Sequence, residues 1–501
     1  MSEFRRSQTR RGRRPLVAPL LAAGALVLTG CIHNPPGLYG GPSTAPAPKV
    51  PWTPPAKAVS AVPAASPATI PGDLLERAQA LTLADLVDLA LRNSPQTAEA
   101  WAQARSAAAA FGSKRGEYYP TVNIGANVGR TQGSFANGAI TYAQRSYGPT
   151  ADLEWLLYDF GGREASVEET RQALYAADWT HNAVIQNVIL QVQQTYYQYV
   201  TAKALLEAER ASYKEAQTSF EAAQERHKAG VATIADVLQA RTALSQAKLG
   251  VESLEGQIQT TKGALATAVG LPANTPYDVN FSREAIRIAP LTEAVDKFLK
   301  DAQAQRPDLA AMRAEAAKAE AHLKSVKAEG YPSLTAQGSA GRVFYDRSNV
   351  FGNTYSAQIL LKFPLFTGFS HSYDVVQAKA DRDAAAARLE GTEKIVALQV
   401  WSSYYALKTA EQRVATSEEL FKSATESYDV ASGRYKAGVG GILDLLAAQA
   451  ALESARAQRI QAYSDWYMAL AQLAHDAGAL SPTSDQLRTP APVTVEEERK
   501  P

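Results

Sequence analysis

The sequence is nearly empty of the residues and motifs on which enzymes rely. Cysteine occurs once, at Cys31, among 501 residues, which excludes an intrachain disulfide and a cysteine-rich zinc site. The six histidines are scattered and form no HxxxH or HxxE pair. The chain also has no GxxxxGKS/T phosphate loop and no GxSxG nucleophile motif. We therefore predict that the chain is not an enzyme and uses no metal or non-covalent cofactor.

A strong charge of one sign is also absent. The chain has 51 basic and 50 acidic side chains and a formal net charge of +1, so no global field attracts nucleic acid. We therefore expect no nucleic acid among its partners. After Cys31, no apolar run reaches the roughly 18 residues that a membrane-spanning helix needs. If the body of the chain crosses a membrane, it must do so as β-strands.

The N-terminus has the features of an export signal. Six arginines lie within residues 5–14, and the apolar run Leu16–Leu28 that follows is short for a spanning helix. The sequence Leu28-Thr29-Gly30-Cys31 resembles the lipobox of bacterial lipoproteins. This resemblance implies that residues 1–30 are a signal peptide and that Cys31 carries a covalent lipid. Because Ile32 rather than aspartate follows, it also implies the outer membrane. The alternative is an ordinary signal peptide that ends near a cysteine.

Both ends of the mature chain have the composition of irregular segments. Eleven prolines lie within residues 32–72, and this density does not allow a helix or a central strand. We predict that residues 31–72 form an acylated, extended N-terminal arm. Residues 481–501 combine prolines with charged residues, and we predict a disordered tail there.

An internal repeat accounts for the rest of the sequence. The matches separated by 212 positions are Asn93-Ser94-Pro95 with Gln305-Arg306-Pro307, Tyr119-Pro120 with Tyr331-Pro332, and Gly129-Arg130 with Gly341-Arg342. The matches separated by 208 positions are Tyr196-Tyr197 with Tyr404-Tyr405, Gly230-Val231 with Gly438-Val439, Asp236 with Asp444, Leu244 with Leu452, and Gly270 with Gly478. We predict two copies of one architecture, residues 73–282 and residues 283–480. An insertion or deletion lies between residues 130 and 196 or in the matching stretch.

Each copy reads as a helix, two strands, a long helix, a Gly-Val turn and another helix. Apolar residues at three- and four-residue spacing, such as Val188, Ile189 and Val192, indicate amphipathic helices, and many alanines favour close packing between helices. A helix from about Arg163 to Lys228 would be roughly 100 Å long. The shorter helices, about Leu83–Gly116 and Thr233–Ala268, would be stacked end to end beside it, and Thr292–Glu329 is the counterpart of the first.

The predicted strands lie in hairpins at about residues 119–158 and 331–366. Apolar Val122, Ile124 and Val128 alternate with polar neighbours, as do Tyr355 and Ile359 in the second copy. Alternation of this kind is typical of a membrane barrel with a wet lumen, and equally of a half-buried soluble sheet. If the strands lie in lipid, four of them leave unpaired edges that lipid does not tolerate, so the chain must oligomerise.

The ordered, duplicated motifs resemble those of the TolC and OprM family of outer-membrane factors. They are the Tyr-Pro before each strand pair, Phe160-Gly161-Gly162 with Phe366-Thr367-Gly368, and the segments that begin at Gly230 and Gly438. The resemblance covers about residues 80–480. It implies an α+β membrane protein that forms a homotrimer. A long α-helical barrel is joined to a transmembrane β-barrel with four strands from each chain and twelve in total. It also implies a periplasmic membrane-fusion adaptor and an inner-membrane transporter as partners.

The resemblance places adaptor contact and gating at the helical hairpin tips. The tip residues are Gly230, Val231, Gly438 and Val439. As gate residues we predict Leu443, as an apolar constriction, and Asp444, as an acidic ring, with Asp236 as its counterpart. Each aspartate could instead be a helix N-terminal acid that stabilises the helix dipole. Related chains often carry an aspartate and an arginine further along, where this chain has alanines at positions 447 and 450. The resemblance therefore does not extend to a charged gate at those two positions.

The predicted function is the outer-membrane duct of a tripartite efflux system for small molecules. The predicted location is the outer membrane, with a lipid anchor and an extension into the periplasm. A duct for type I protein secretion is a close alternative, and a coiled-coil structural lipoprotein without a pore is a third. The sequence does not identify the cargo.

Overall fold

The computed structural model of the protein describes residues 69–76, 78–135, 140–280, 292–346 and 351–480, all within the unit Ala68–Pro501. The predicted signal peptide, Cys31 and the C-terminal tail lie outside the described residues. So does the junction of the two copies at residues 281–291.

The same order of elements occurs twice. After one helical turn, Gly72–Leu75, the first copy contains α1 (Leu83–Asn93), α2 (Pro95–Arg115), β1 (Thr121–Phe135), β2 (Ile140–Tyr158), α3 (Gly162–Lys228) and α4 (Ile234–Ala268). The second contains α5 (Val295–Gln305), α6 (Pro307–Ala328), β3 (Ser333–Tyr345), β4 (Phe351–Lys362), α7 (Ser370–Lys436) and α8 (Ile442–Asp476). None of these described helices is both long enough and apolar enough to cross a membrane.

The first helical segment of each copy is two helices, whereas the sequence reading predicted one. The break falls at Ser94, with ψ 122°, and at Arg306, with ψ 120°. A residue before proline is pushed out of the helical region by the proline ring, and Pro95 and Pro307 then start the next helix at its first position. The prediction of one continuous helix over Leu83–Gly116 is therefore wrong.

The residues that connect each strand hairpin to its long helix correspond between the two copies in a different register from the one that the sequence motifs predict. The residues with left-handed backbone are Phe160 and Gly161 in the first copy, and Gly368 and Phe369 in the second. These pairs are 208 positions apart. The match of Phe160 with Phe366 is therefore out of register by two residues, because it followed side-chain identity rather than backbone conformation.

The two long helices have 67 residues each, which corresponds to roughly 100 Å. Helix α3 packs along α4 of its own copy and along α6 and α8 of the other, so the two copies are interleaved. Small side chains lie at these contacts: Ala223 and Ala240 are fully buried where α3 meets α4. Their size allows the close helix approach that the alanine content predicts.

All four strands form one antiparallel sheet in the order β1-β2-β3-β4. The β2–β3 pairing joins the two copies, and β1 and β4 are the edges. Thr121 is opposite Glu154, 33 positions on, and Ser333 is opposite Lys362, 29 positions on. The second hairpin is thus four residues shorter, which accounts for the change in repeat offset from 212 to 208.

Candidate channel wall and helical tip

The strand register sorts the sheet residues onto two chemically different faces. One row across all four strands reads Ile124, Ala151, Ala340 and Tyr355. The neighbouring row reads Asn123, Asp152, Ser339 and Ser356. Because directly opposite residues in an antiparallel sheet share a face, the first row belongs to an apolar face and the second to a polar face.

No other described element covers the apolar face of the sheet. Ile124 is 86% exposed, Val128 88% and Tyr355 90%. A half-buried soluble sheet would pack this face against its own hydrophobic core, because leaving such side chains in water forfeits about 1.5–3 kcal/mol each. The exposed apolar face therefore favours the membrane barrel over the soluble sheet, an alternative that the alternation pattern left open.

The apolar face has the height of an outer-membrane barrel wall. On β4 it extends from Leu361 to Phe351, which is roughly 33 Å along a strand and about 25 Å after the usual barrel tilt. The top row is Val128, Tyr147, Phe344 and Phe351. Aromatic side chains also lie at the base, where the Tyr158 and Phe160 rings are in contact with centroids 4.8 Å apart. Aromatic residues at both ends are typical of the two interfaces of a lipid bilayer.

At the opposite end of the long helices, the two helical hairpins reverse through the same backbone motif. Gly230 has φ +78° and Gly438 has φ +79°. The amide of Val231 donates to the Arg226 carbonyl and that of Val439 to the Arg434 carbonyl, both at 3.0 Å. The amide of each glycine donates to the carbonyl one residue further along. Together these bonds end each helix at a residue with left-handed backbone, a conformation that favours glycine.

The two predicted acidic residues have different surroundings. The Asp236 carboxylate accepts a hydrogen bond of 2.8 Å from the Thr233 amide, and the Thr233 hydroxyl accepts one of 3.3 Å from the Asp236 amide. This reciprocal cap satisfies two helix N-terminal donors. In the second copy Gly441 replaces Thr233, so the cap is missing. Among the described residues, no hydrogen bond or ion pair to the Asp444 carboxylate is found.

The predicted tip and gate side chains that are apolar all lie on the surface of the chain. Val231, Val439 and Leu443 are each exposed by about two thirds. The structure places Leu443 beside Asp444 in the first turn of α8. Whether these residues face a pore depends on neighbouring copies of the chain, and the gate assignment stays a prediction.

Contacts between the two hairpins were not predicted from the sequence. Arg226 Nη1 donates a 2.7 Å hydrogen bond to the Tyr435 carbonyl, and Arg456 forms two hydrogen bonds, 2.8 and 3.0 Å, with the Glu215 carboxylate. These partners are more than 200 positions apart, and neither pair has a counterpart in the repeat. No local pattern indicates them.

Comparison with known proteins gives consistent matches. A profile described as Outer membrane efflux protein matches residues 86–271 and 298–479. Protein CyaE of Bordetella pertussis is 29% identical over 90% of this chain and 92% of its own length. The probable efflux pump outer membrane protein TtgC of Pseudomonas putida is 23% identical over 62% of this chain and 64% of its own length. The crystal structure of VceC from Vibrio cholerae shares the fold, with a TM-score of 0.70 and 20% identity over 82% of this chain and 99% of that chain.

Proposed function

The chain belongs to the outer membrane efflux protein family, and we propose that three copies of it assemble into one duct that carries small molecules out of the periplasm. The family consists of outer-membrane efflux channels, so the predicted family, fold class and efflux-channel function are confirmed. A transport channel of this kind is not an enzyme. Location in the outer membrane with an extension into the periplasm follows from the same family.

The uncovered apolar face of the sheet carries the proposal of a shared barrel. In the described part of the chain, this face and the outer edges of β1 and β4 have no partner. Lipid accepts the apolar face but not the edges, because an unpaired backbone group costs several kcal/mol there. Closed barrels begin at eight strands, and three copies of four give twelve around an open lumen.

The long helices support the periplasmic part of the proposed duct. In the same trimer, two helices of roughly 100 Å from each chain would continue the barrel as a helical tube. The hairpin tips would then lie farthest from the outer membrane, where an adaptor bound to an inner-membrane pump can meet them. The relative TtgC is named a probable efflux pump outer membrane protein, which agrees with such partners.

We further propose that a lipid on Cys31 is an auxiliary anchor and that no other cofactor is needed. A twelve-stranded barrel with an apolar band of about 25 Å holds itself in the membrane. A Cys31→Ser variant on a cleavable signal is therefore expected to insert. If it lost all insertion into the outer membrane, the anchor would be essential rather than auxiliary.

Conductance and mass together test the proposed channel. Purified protein in detergent is expected to have the mass of three chains and to produce discrete conductance steps in planar lipid bilayers. Stable trimers that never conduct would support the alternative of a structural lipoprotein without a pore. A monomer that conducts would contradict the shared barrel.

Deletion of the gene in its host separates the two cargo classes. If the duct serves efflux, the mutant becomes more sensitive to small toxic compounds and accumulates a fluorescent dye, and the restored gene reverses both. If it serves type I secretion, dye accumulation is unchanged and one large polypeptide disappears from the culture medium.

A further inference from the structure

Two arginines lie directly opposite each other near the outer end of the sheet. The strand register pairs Arg130 of β1 with Arg145 of β2, one row beyond Val128 and Tyr147. Like charges placed opposite each other destabilise an antiparallel pair. The position therefore needs a compensating negative charge.

The described residues supply only part of that charge. Arg145 Nη1 lies 3.5 Å from the Asp346 carboxylate, and both side chains are at least half exposed. Arg130 has no hydrogen-bond or ion-pair partner among the described residues. Arg342, on β3, lies one row inside the row of Tyr147 and Phe344, and its guanidinium is 4.0 Å from the centre of the Phe351 ring. Among the described side chains at this position, two guanidinium groups therefore face one carboxylate, which leaves an excess of one positive charge.

All these charges belong to the apolar face rather than to the polar one. Arg130 is two residues beyond Val128, Arg145 is two residues before Tyr147, and Arg342 is two residues before Phe344, so each shares its neighbour's face. Val128, Arg130, Arg145, Tyr147 and Asp346 line one shallow cavity of about 380 Å³. The arginines would therefore point towards lipid and not into the lumen.

The height of Arg130 and Arg145 matches the headgroup layer. The apolar band is about 25 Å tall and ends at the row of Val128 and Tyr147. Arg130 and Arg145 are the next row outward, on the hairpin side that lies away from the helices. Arginine on the lipid face costs about 2–4 kcal/mol at the midplane but about 0–1 kcal/mol near the interface. This position is therefore tolerated, and phosphate groups of lipids occupy the same depth.

We propose that Arg130 and Arg145, here called the rim cluster, bind the phosphate groups of a phosphorylated glycolipid in the outer leaflet. This inference rests on the proposed barrel in the outer membrane. The planar guanidinium binds phosphate through two parallel hydrogen bonds, and an anion between Arg130 and Arg145 turns their repulsion into attraction. The aromatic rings of Tyr147 and Phe344, stacked with centroids 5.4 Å apart, provide an apolar floor for the lipid below its phosphate.

The test compares the wild-type chain with an Arg130→Gln/Arg145→Gln double variant. Delipidated trimers in nonionic detergent are titrated with a diphosphorylated disaccharide lipid, and bound lipid is counted by native mass spectrometry. We expect the double variant to bind at least about tenfold more weakly, and the wild type to lose affinity similarly when both phosphates are removed from the lipid. The matched control is Arg241→Gln, which removes the same charge from an exposed position on α4 and should bind as wild type does.

Several results would overturn the inference. They are equal affinity of the double variant, equal affinity for the dephosphorylated lipid, and displacement of the lipid by millimolar inorganic phosphate, which would indicate a site for free phosphate. The arm with dephosphorylated lipid uses only wild-type protein, so it decides the matter even if the double variant fails to fold. Conductance is recorded on the same samples. A wild-type trimer that conducts but ignores the lipid phosphates refutes the rim cluster alone, whereas a wild-type chain that never conducts refutes the channel.

Discussion

The guanidinium of Arg226 reaches across the tip to Tyr435, to which it donates a 2.7 Å hydrogen bond at the carbonyl, and it lies 4.7 Å from the centre of the tyrosine ring. Arg226 is in the last turn of α3 and Tyr435 in the last turn of α7, so this contact joins the two hairpins. Tyr435 is only 5% exposed, and burial raises the pKa of its hydroxyl. Any movement that separates the hairpins must break this contact.

Replacing Arg226 by leucine is expected to widen the tip. The variant loses a charged hydrogen bond and a cation–π contact, together about 2–4 kcal/mol, so separated hairpins become more populated. In planar bilayers the mean conductance should rise above that of the wild type. Arg241→Leu, an exposed arginine on α4, serves as the control. Unchanged conductance of Arg226→Leu would show that the contact does not hold the tip closed.

Replacing Asp444 by asparagine is expected to reduce cation selectivity. Its carboxylate is exposed and takes no part in a helix cap, so in a trimer three such charges would form a ring that attracts cations. The measurement is the reversal potential in a salt gradient, which should shift towards the value of an unselective pore.

The matched variant is Asp236→Asn, because that carboxylate is engaged in the helix cap. It should lower the thermal midpoint, at a cost of about 0.3–1 kcal/mol for the lost negative charge at the helix N-terminus, and change selectivity less. If both variants left the reversal potential where the wild type has it, the acidic ring would be refuted.

The repeat explains how far sequence reasoning could go. Element order and the helix turn at Gly230 follow from local patterns and from the duplicated motifs. The break at Ser94 also follows from a local pattern, because the proline ring of Pro95 disfavours helical backbone at the preceding residue. The contact of Arg226 with Tyr435 could not be predicted, because it depends on how helices distant in sequence pack.

Strand pairing in the sheet likewise could not be predicted from local sequence patterns. Alternation identifies which residues share a face on one strand, but only the register places Arg130 opposite Arg145. Exposure of the apolar face is likewise a property of the whole chain, since it depends on what the helices fail to cover.

Glu209 gives the described chain a pH-dependent contribution to stability. Burial and the nearby Glu453 carboxylate raise the pKa of Glu209 from 4.5 to about 7. Between these values the folded chain binds the proton more tightly than the unfolded chain, so the free energy of unfolding falls as pH rises through this range. Because Glu209 is only half-buried, solvent screens its charge, and we expect only about 1 kcal/mol.

Glu209→Gln should therefore raise the thermal midpoint of the helical circular dichroism signal at about pH 8 and leave it unchanged near pH 4, where both states carry the proton. Glu225→Gln, which replaces an exposed glutamate near the end of α3, should shift the midpoint at about pH 8 by less than Glu209→Gln does. An equal gain for Glu209→Gln at both pH values would mean that the effect is packing and not ionisation.

Two glycines with the same backbone conformation separate strain from crowding. Gly270, after α4, has φ +77°, and Gly230, at the tip, has φ +78°. A Cβ atom on Gly270 would lie 2.8 Å from the Asn93 carbonyl oxygen, whereas one on Gly230 would meet no atom within 4 Å. Alanine at either site costs about 1–2 kcal/mol for left-handed backbone, but only at Gly270 must the end of α1 also move.

Gly270→Ala is therefore expected to lower the thermal midpoint well beyond Gly230→Ala, by a further cost of about 1–3 kcal/mol for the crowding. The second copy offers an internal repeat of the experiment. A Cβ on Gly478 would lie 2.9 Å from the Arg306 amide nitrogen, so Gly478→Ala should behave as Gly270→Ala does. Equal midpoints for Gly230→Ala and Gly270→Ala would show that the end of α1 moves away from Gly270 at little cost. The close approach of α1 to the end of α4 would then contribute little to stability.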